Sequence, residues 1–169
     1  MKHLLSIGFL LISLSVAVFA QTSLKVGSSA PAFVGNSMDG KSYDLNELRG
    51  SVVVLTFWST RCEICSNEFP KVNQIVDKYS GKNVVFLALT TENDAKVESY
   101  TQKNHLSSII LPNSFGILLQ YADRTQDGSV DMGFPSYFVI DNEGRIQYRA
   151  SGYGRTSALK SAIGRLASK

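Results

Sequence analysis

Cysteine is nearly missing from this chain: two among 169 residues, Cys62 and Cys65, with two histidines and one tryptophan. That scarcity excludes several chemistries. A structural zinc site needs about four nitrogen or sulfur ligands, and besides the two cysteines the chain has only His3 and His105. Covalent haem attachment requires a histidine directly after the second cysteine, where this chain has Ser66. A basic run is also missing. The net charge is +3 with the charges scattered, which gives no support to nucleic-acid binding. There are no internal repeats and no low-complexity tracts.

What is present points elsewhere. A hydrophobic content of 44% and a charged content of 18% suit a globular domain with a real core. The start, Met1-Lys2-His3, leads into an uncharged apolar run, Leu4 to Phe19, closed by Ala20. This pattern predicts a signal peptide over residues 1–20, cleaved after Ala20, and one domain over residues 21–169. The alternative is an uncleaved membrane anchor. The run is short for that and is interrupted by Ser6, Gly8, Ser13 and Ser15, whereas a spanning helix wants about 20 apolar residues. No cysteine lies near the cleavage point, which argues against a lipoprotein anchor. An exported protein with one cysteine pair belongs where disulfides are made and repaired.

The pair stands where an apolar run, Val52 to Phe57, gives way to helical spacing. Cys62, Cys65, Phe69, Val72, Val76 and Tyr79 recur at three and four residues, one face of a helix that Gly81 ends and Pro70 is expected to kink. A disulfide closing so small a loop stabilises little, so a redox pair is favoured over a structural bridge or two inert thiols. The remaining pattern predicts a hairpin around Asp39-Gly40, a helical turn at 45–48, a buried strand over 84–89 and a polar helix over 94–104. Further on it predicts a short helix over 118–122, a loop over 123–129, strands over 137–140 and 145–150 flanking Asp141-Asn142-Glu143-Gly144, and a closing helix from Thr156, its N-cap. The order implies a mixed α/β sheet with helices on both faces and active groups at the carboxyl ends of the strands.

Three segments resemble the thioredoxin superfamily, in its exported TlpA/ResA-like branch. Val52–Trp58 leading into Cys62-Glu63-Ile64-Cys65, with Phe69-Pro70 beyond, is similar to that branch's strand-to-CxxC segment. Gly133-Phe134-Pro135-Ser136-Tyr137 is similar to its cis-proline segment, and Gly27–Phe33 with Asp39-Gly40-Lys41 to its N-terminal hairpin. The chain departs from the branch at Arg61, where tryptophan is usual, at Ile64, where proline is common, and at Phe134, where threonine or valine precedes the cis-proline.

The resemblance implies a thioredoxin fold with an N-terminal hairpin extension and a thiol–disulfide oxidoreductase that needs no cofactor beyond its dithiol. The implied partners are disulfide-bearing extracytoplasmic proteins and a membrane thiol donor. The implied location is the periplasm, or the outer face of the inner membrane if the leader is retained. Cytochrome c maturation and general thiol repair are the roles it suggests.

At the site, Cys62 reads as nucleophile, favoured as thiolate by the helix start, and Cys65 as the resolving cysteine. Spacing alone makes Glu68 a solvated acid; the resemblance makes it a proton acceptor beside the pair. Phe134 and Pro135 are expected to face the substrate. Trp58 is either a wall beside Cys62 or a core aromatic. Glu92 reads as a solvated loop acid and His105 as a surface residue. A thiol peroxidase places proline and threonine before its cysteine, and here Thr60 stands without the proline. A copper chaperone on the same fold uses a wider cysteine spacing and a downstream histidine, for which His105 is a poor substitute.

Overall fold

A computed structural model describes residues 23–167, so the expected leader lies outside the described residues. Among those residues no helix is long and apolar enough to cross a membrane.

The β-branched run Val52–Phe57 forms β3 and is buried at all six positions. A strand buried on both faces has to sit inside a sheet. It does: the five-stranded order is β5-β4-β3-β8-β9, from Ile109–Leu111 (β5), Val84–Leu89 (β4), Ser136–Ile140 (β8) and Ile146–Ser151 (β9). β3 pairs parallel with β4 and antiparallel with β8. The period of two divides the side chains between two cores. Val53, Leu55 and Phe57 pack on one face with Leu87, Phe138 and Tyr121, while Val52 and Val54 pack on the other with Val72, Ile75, Leu159 and Ile163. Burying each such aliphatic side chain is worth about 1.5–3 kcal/mol.

The second face is covered by α1 (Glu63–Tyr79) and α4 (Thr156–Ala167). The first is covered by α3 (Phe115–Tyr121) and by a hairpin of β1 (Val34–Asn36) and β2 (Ser42–Asp44). α2 (Asp94–Thr101) contributes Val97 to a third, smaller cluster. Pro70 stands within α1, which continues to Tyr79 and is followed by Gly81 at φ +73°, a left-handed position that glycine adopts without a Cβ penalty.

The expected thioredoxin-type architecture and its hairpin extension are present; several boundaries differ. β5 has no counterpart in the sequence reading, because three residues carry too little alternation to register. The segment expected as a loop over 123–129 belongs to a small hairpin, β6 (Asp123–Arg124) and β7 (Val130–Asp131), closed by Thr125, Asp127 and Ser129. α2 stops at Thr101, and the chain to Asn104 continues as a turn bonded back to the Tyr100 carbonyl. α3 begins three residues earlier than expected. Thr156 is the first residue of α4 instead of its cap. On α1 the buried stripe runs through Ile75, leaving Val76 partly exposed.

Candidate active site

β3 ends at Phe57 and β8 begins at Ser136, its register partner, so the residues beyond one and before the other share one end of the sheet. Trp58 follows β3, held by its N–H donating to the Leu89 carbonyl at 3.0 Å. A turn over Ser59–Arg61 then delivers Cys62, whose N–H donates to the Ser59 carbonyl at 3.0 Å. Cys62 has extended backbone angles and caps α1: its Sγ accepts from the Cys65 N–H at 3.1 Å. The helix start thus aims an unpaired backbone donor at this sulfur.

Cys62 and Cys65 are joined as a disulfide with Cα atoms 5.2 Å apart, within the usual range. The two sulfurs are not equivalent. Cys65 is fully buried, whereas Cys62 is partly exposed. The more accessible cysteine is the one at the helix terminus.

Beneath the pair lies the third cluster, Trp58, Cys65, Phe69, Ala88 and Val97, against which Cys62, Tyr100 and Phe134 also pack. Trp58 is fully buried, edge-on to Phe69 at 5.4 Å and 5.3 Å from Tyr100 between ring centroids. It is the floor under the dithiol and presents no surface to a substrate, so of the two readings the core aromatic holds and the substrate-facing wall is corrected. Phe134 is half-buried and packs on this cluster, Pro135 is buried, and the Phe134–Pro135 peptide is cis, as the resemblance implied. Ile64 is 43% exposed and Arg61 is also exposed, so two of the three positions that depart from the branch pattern lie on the surface, while Phe134, the third, is half-buried.

Glu68 overturns the solvated reading. It has no exposed surface, and its Oε1 accepts from Lys71 Nζ at 3.0 Å while Oε2 has no partner. A buried carboxylate without a counter-charge costs several kcal/mol; Lys71, one turn along α1, supplies that charge from the surface. The same bond and charge hold the Lys71 ammonium above its ordinary pKa. Tyr137, also buried with an unpartnered hydroxyl, is pushed well above the ordinary tyrosine range by burial and then by the Glu68 charge.

Glu92 is the second correction. Instead of a solvated loop acid it is buried, and its carboxylate reaches across to the turn before Cys62. Oε1 accepts from Ser59 Oγ at 2.7 Å, Thr60 Oγ1 at 3.1 Å and Thr60 N–H at 3.2 Å, and Oε2 from Thr90 Oγ1. Lys96 Nζ stands 3.7 Å away. Burial raises its pKa, but the bonds from Thr90, Ser59 and Thr60 outweigh that and leave it below the ordinary glutamate value. Local spacing carries no sign of the contacts to the turn, since Ser59 and Thr60 are 33 and 32 residues away. His105 is exposed, as expected.

The redoxin family profile matches residues 25–163, nearly the whole described chain. The chain belongs to the redoxin family. Within that family it is 33% identical over 127 residues to the thiol-disulfide oxidoreductase ResA of Bacillus anthracis, covering 73% of this chain and 68% of the relative. The ResA of Bacillus subtilis is 30% identical over 132 residues, covering 77% and 70%. In fold, this redoxin matches the thioredoxin domain of a thiol-disulfide oxidoreductase from Bacteroides vulgatus. The TM-score is 0.69 at 21% identity, over 86% of this chain and 99% of that one. It also matches a secreted disulfide oxidoreductase of Mycobacterium tuberculosis, with a TM-score of 0.63 at 21% identity, over 79% and 96%. The protein is therefore a ResA-like thiol–disulfide oxidoreductase with Cys62 and Cys65 as its redox pair.

Proposed function

We propose that this oxidoreductase is exported and reduces disulfides in extracytoplasmic proteins, with residues 21–169 as the working domain. The observation that carries this reading is the asymmetry of the pair: a partly exposed Cys62 at a helix start beside a fully buried Cys65.

In the reduced protein the Cys62 thiolate attacks one sulfur of a substrate disulfide. A mixed disulfide forms and the other substrate sulfur leaves as a thiolate. Cys65 then loses its proton to Glu68 and attacks Cys62 Sγ, releasing the second substrate thiolate and closing the Cys62–Cys65 disulfide. Two electrons pass to the substrate, and protons from Glu68 and solvent convert its thiolates to thiols. A membrane thiol donor returns the two electrons. In this reading an extended substrate segment would lie against the half-exposed Phe134, with the buried Pro135 supporting that backbone from behind. The apolar run of residues 4–19, read as a leader, supports a periplasmic location, or the outer face of the inner membrane if it is retained. Cytochrome c maturation and thiol repair are the roles that fit this chemistry.

The test is equilibration of the full chain with glutathione buffers, read by thiol alkylation. A reductase requires a potential below about −200 mV; one near −120 mV would make the protein an oxidant. Insulin reduction surviving in Cys62→Ser would remove the assignment altogether.

A further inference from the structure

Three consecutive residues lead into the redox pair; two bond one carboxylate directly and the third reaches it through the first. Glu92 takes the Ser59 hydroxyl, the Thr60 hydroxyl and the Thr60 N–H on a single oxygen. The Arg61 N–H donates to Ser59 Oγ at 3.2 Å, so the Ser59 hydroxyl passes the anchor one residue further. The Cys62 N–H closes the sequence on the Ser59 carbonyl. On its own side Glu92 is fixed from behind: Thr90 Oγ1 donates to its second oxygen, and its carbonyl accepts from the Asn113 N–H at 2.9 Å. A carboxylate is an acceptor only, and hydroxyl, peptide and ammonium donors all converge on this one. A merely solvated surface acid would gather none of them.

We propose that Glu92 is a positioning residue of the redox reaction: it holds the Ser59–Arg61 turn so that Cys62 stands in bonding reach of Cys65, and thereby sets the dithiol–disulfide equilibrium. The role rests on the redox reading above. Two effects act in the same direction. A fixed turn keeps the two sulfurs at a high effective concentration, which favours the disulfide. A negative charge behind the turn opposes a thiolate at Cys62, which disfavours the reduced form. Glu92→Gln weakens both. Its amide nitrogen is a donor facing donors, and its charge is gone.

The experiment measures the equilibrium constant of the full chain with glutathione for wild type, Glu92→Gln and Ser59→Ala, together with melting of each in both redox states. Glu92→Gln is expected to shift the constant about tenfold toward the dithiol, a potential less negative by about 30 mV. Ser59→Ala removes one donor, leaves the carboxylate its other partners, and should shift it less in the same direction. It also keeps the test available if Glu92→Gln does not fold. The melting data separate positioning from plain support, because a structural role lowers the stability of both redox states equally and leaves their equilibrium unchanged. An unshifted constant, or one displaced toward the disulfide, overturns the role while the redox reading stands. A wild-type pair that does not exchange with glutathione overturns both.

Discussion

Lys71 reaches the Glu68 carboxylate at 3.0 Å from the surface: the lysine side chain is 51% exposed and the glutamate side chain 0%. The ammonium also lies over the Tyr153 ring, 5.3 Å from its centroid. One charge in water thus supports another in the core, a turn away from Cys65.

Lys71→Met should destabilise the protein, though by less than breaking a fully buried pair would, because one partner is in water. Adding Glu68→Gln should restore much of the loss, since the uncompensated charge is then gone. Urea unfolding at neutral pH measures both. Equal losses in the single and double variants would show that the pair is not what holds this part of α1.

The difference in exposure between the cysteines predicts an order of modification. In the reduced protein Cys62 should be alkylated first and Cys65 only slowly, as peptide mapping would show. Cys65→Ser should accumulate a mixed disulfide through Cys62, whereas Cys62→Ser should form none and lose insulin reduction to background. Adducts found first on Cys65 would reverse the proposed roles.

Glu92 gives a pH dependence with a defined sign. Its folded-state pKa lies below the ordinary value of 4.5, so its contribution is present above that value and disappears as the pH falls through the folded pKa. Wild type should therefore be more stable than Glu92→Gln near neutrality, and the two melting curves should converge in acid below the ordinary glutamate range. A gap that persists unchanged into strong acid would mean that the ionised carboxylate is not the source of the stability.

Trp58 is the only tryptophan, so emission excited selectively from indole belongs to it alone. Because it packs in the same small cluster as Cys65, its intensity should change when the disulfide is reduced, and the change should vanish in Cys62→Ser. Trp58→Ala should cost about 3–5 kcal/mol through the cavity it leaves, measured by urea unfolding with circular dichroism.

The elements that could be read from the sequence are those whose pattern is local and strong. Val52–Phe57 is continuously apolar, and the spacing from Cys65 through Tyr79 is helical, so β3 and α1 were legible with their junction at the pair. Ile109–Leu111 and the two-residue strands β6 and β7 were not, because they exist only by pairing with chain brought alongside. The acids failed for the same reason. Glu68 and Glu92 look like surface residues until Lys71 is placed on one and Ser59, Thr60 and Thr90 on the other. The Lys71 and Lys96 pairings left a faint trace in their three- and four-residue spacings; the Ser59 and Thr60 contacts of Glu92 left none. Trp58 could not be placed either way, since a strand end is both a core position and a site edge.

The cap of α1, the longest helix among the described residues, is a sulfur atom that also carries the electrons of the reaction. Folding and electrochemistry here share one acceptor. That sulfur accepts the Cys65 N–H while it is itself disulfide-bonded, so starting the helix and carrying the redox bond do not compete for this atom.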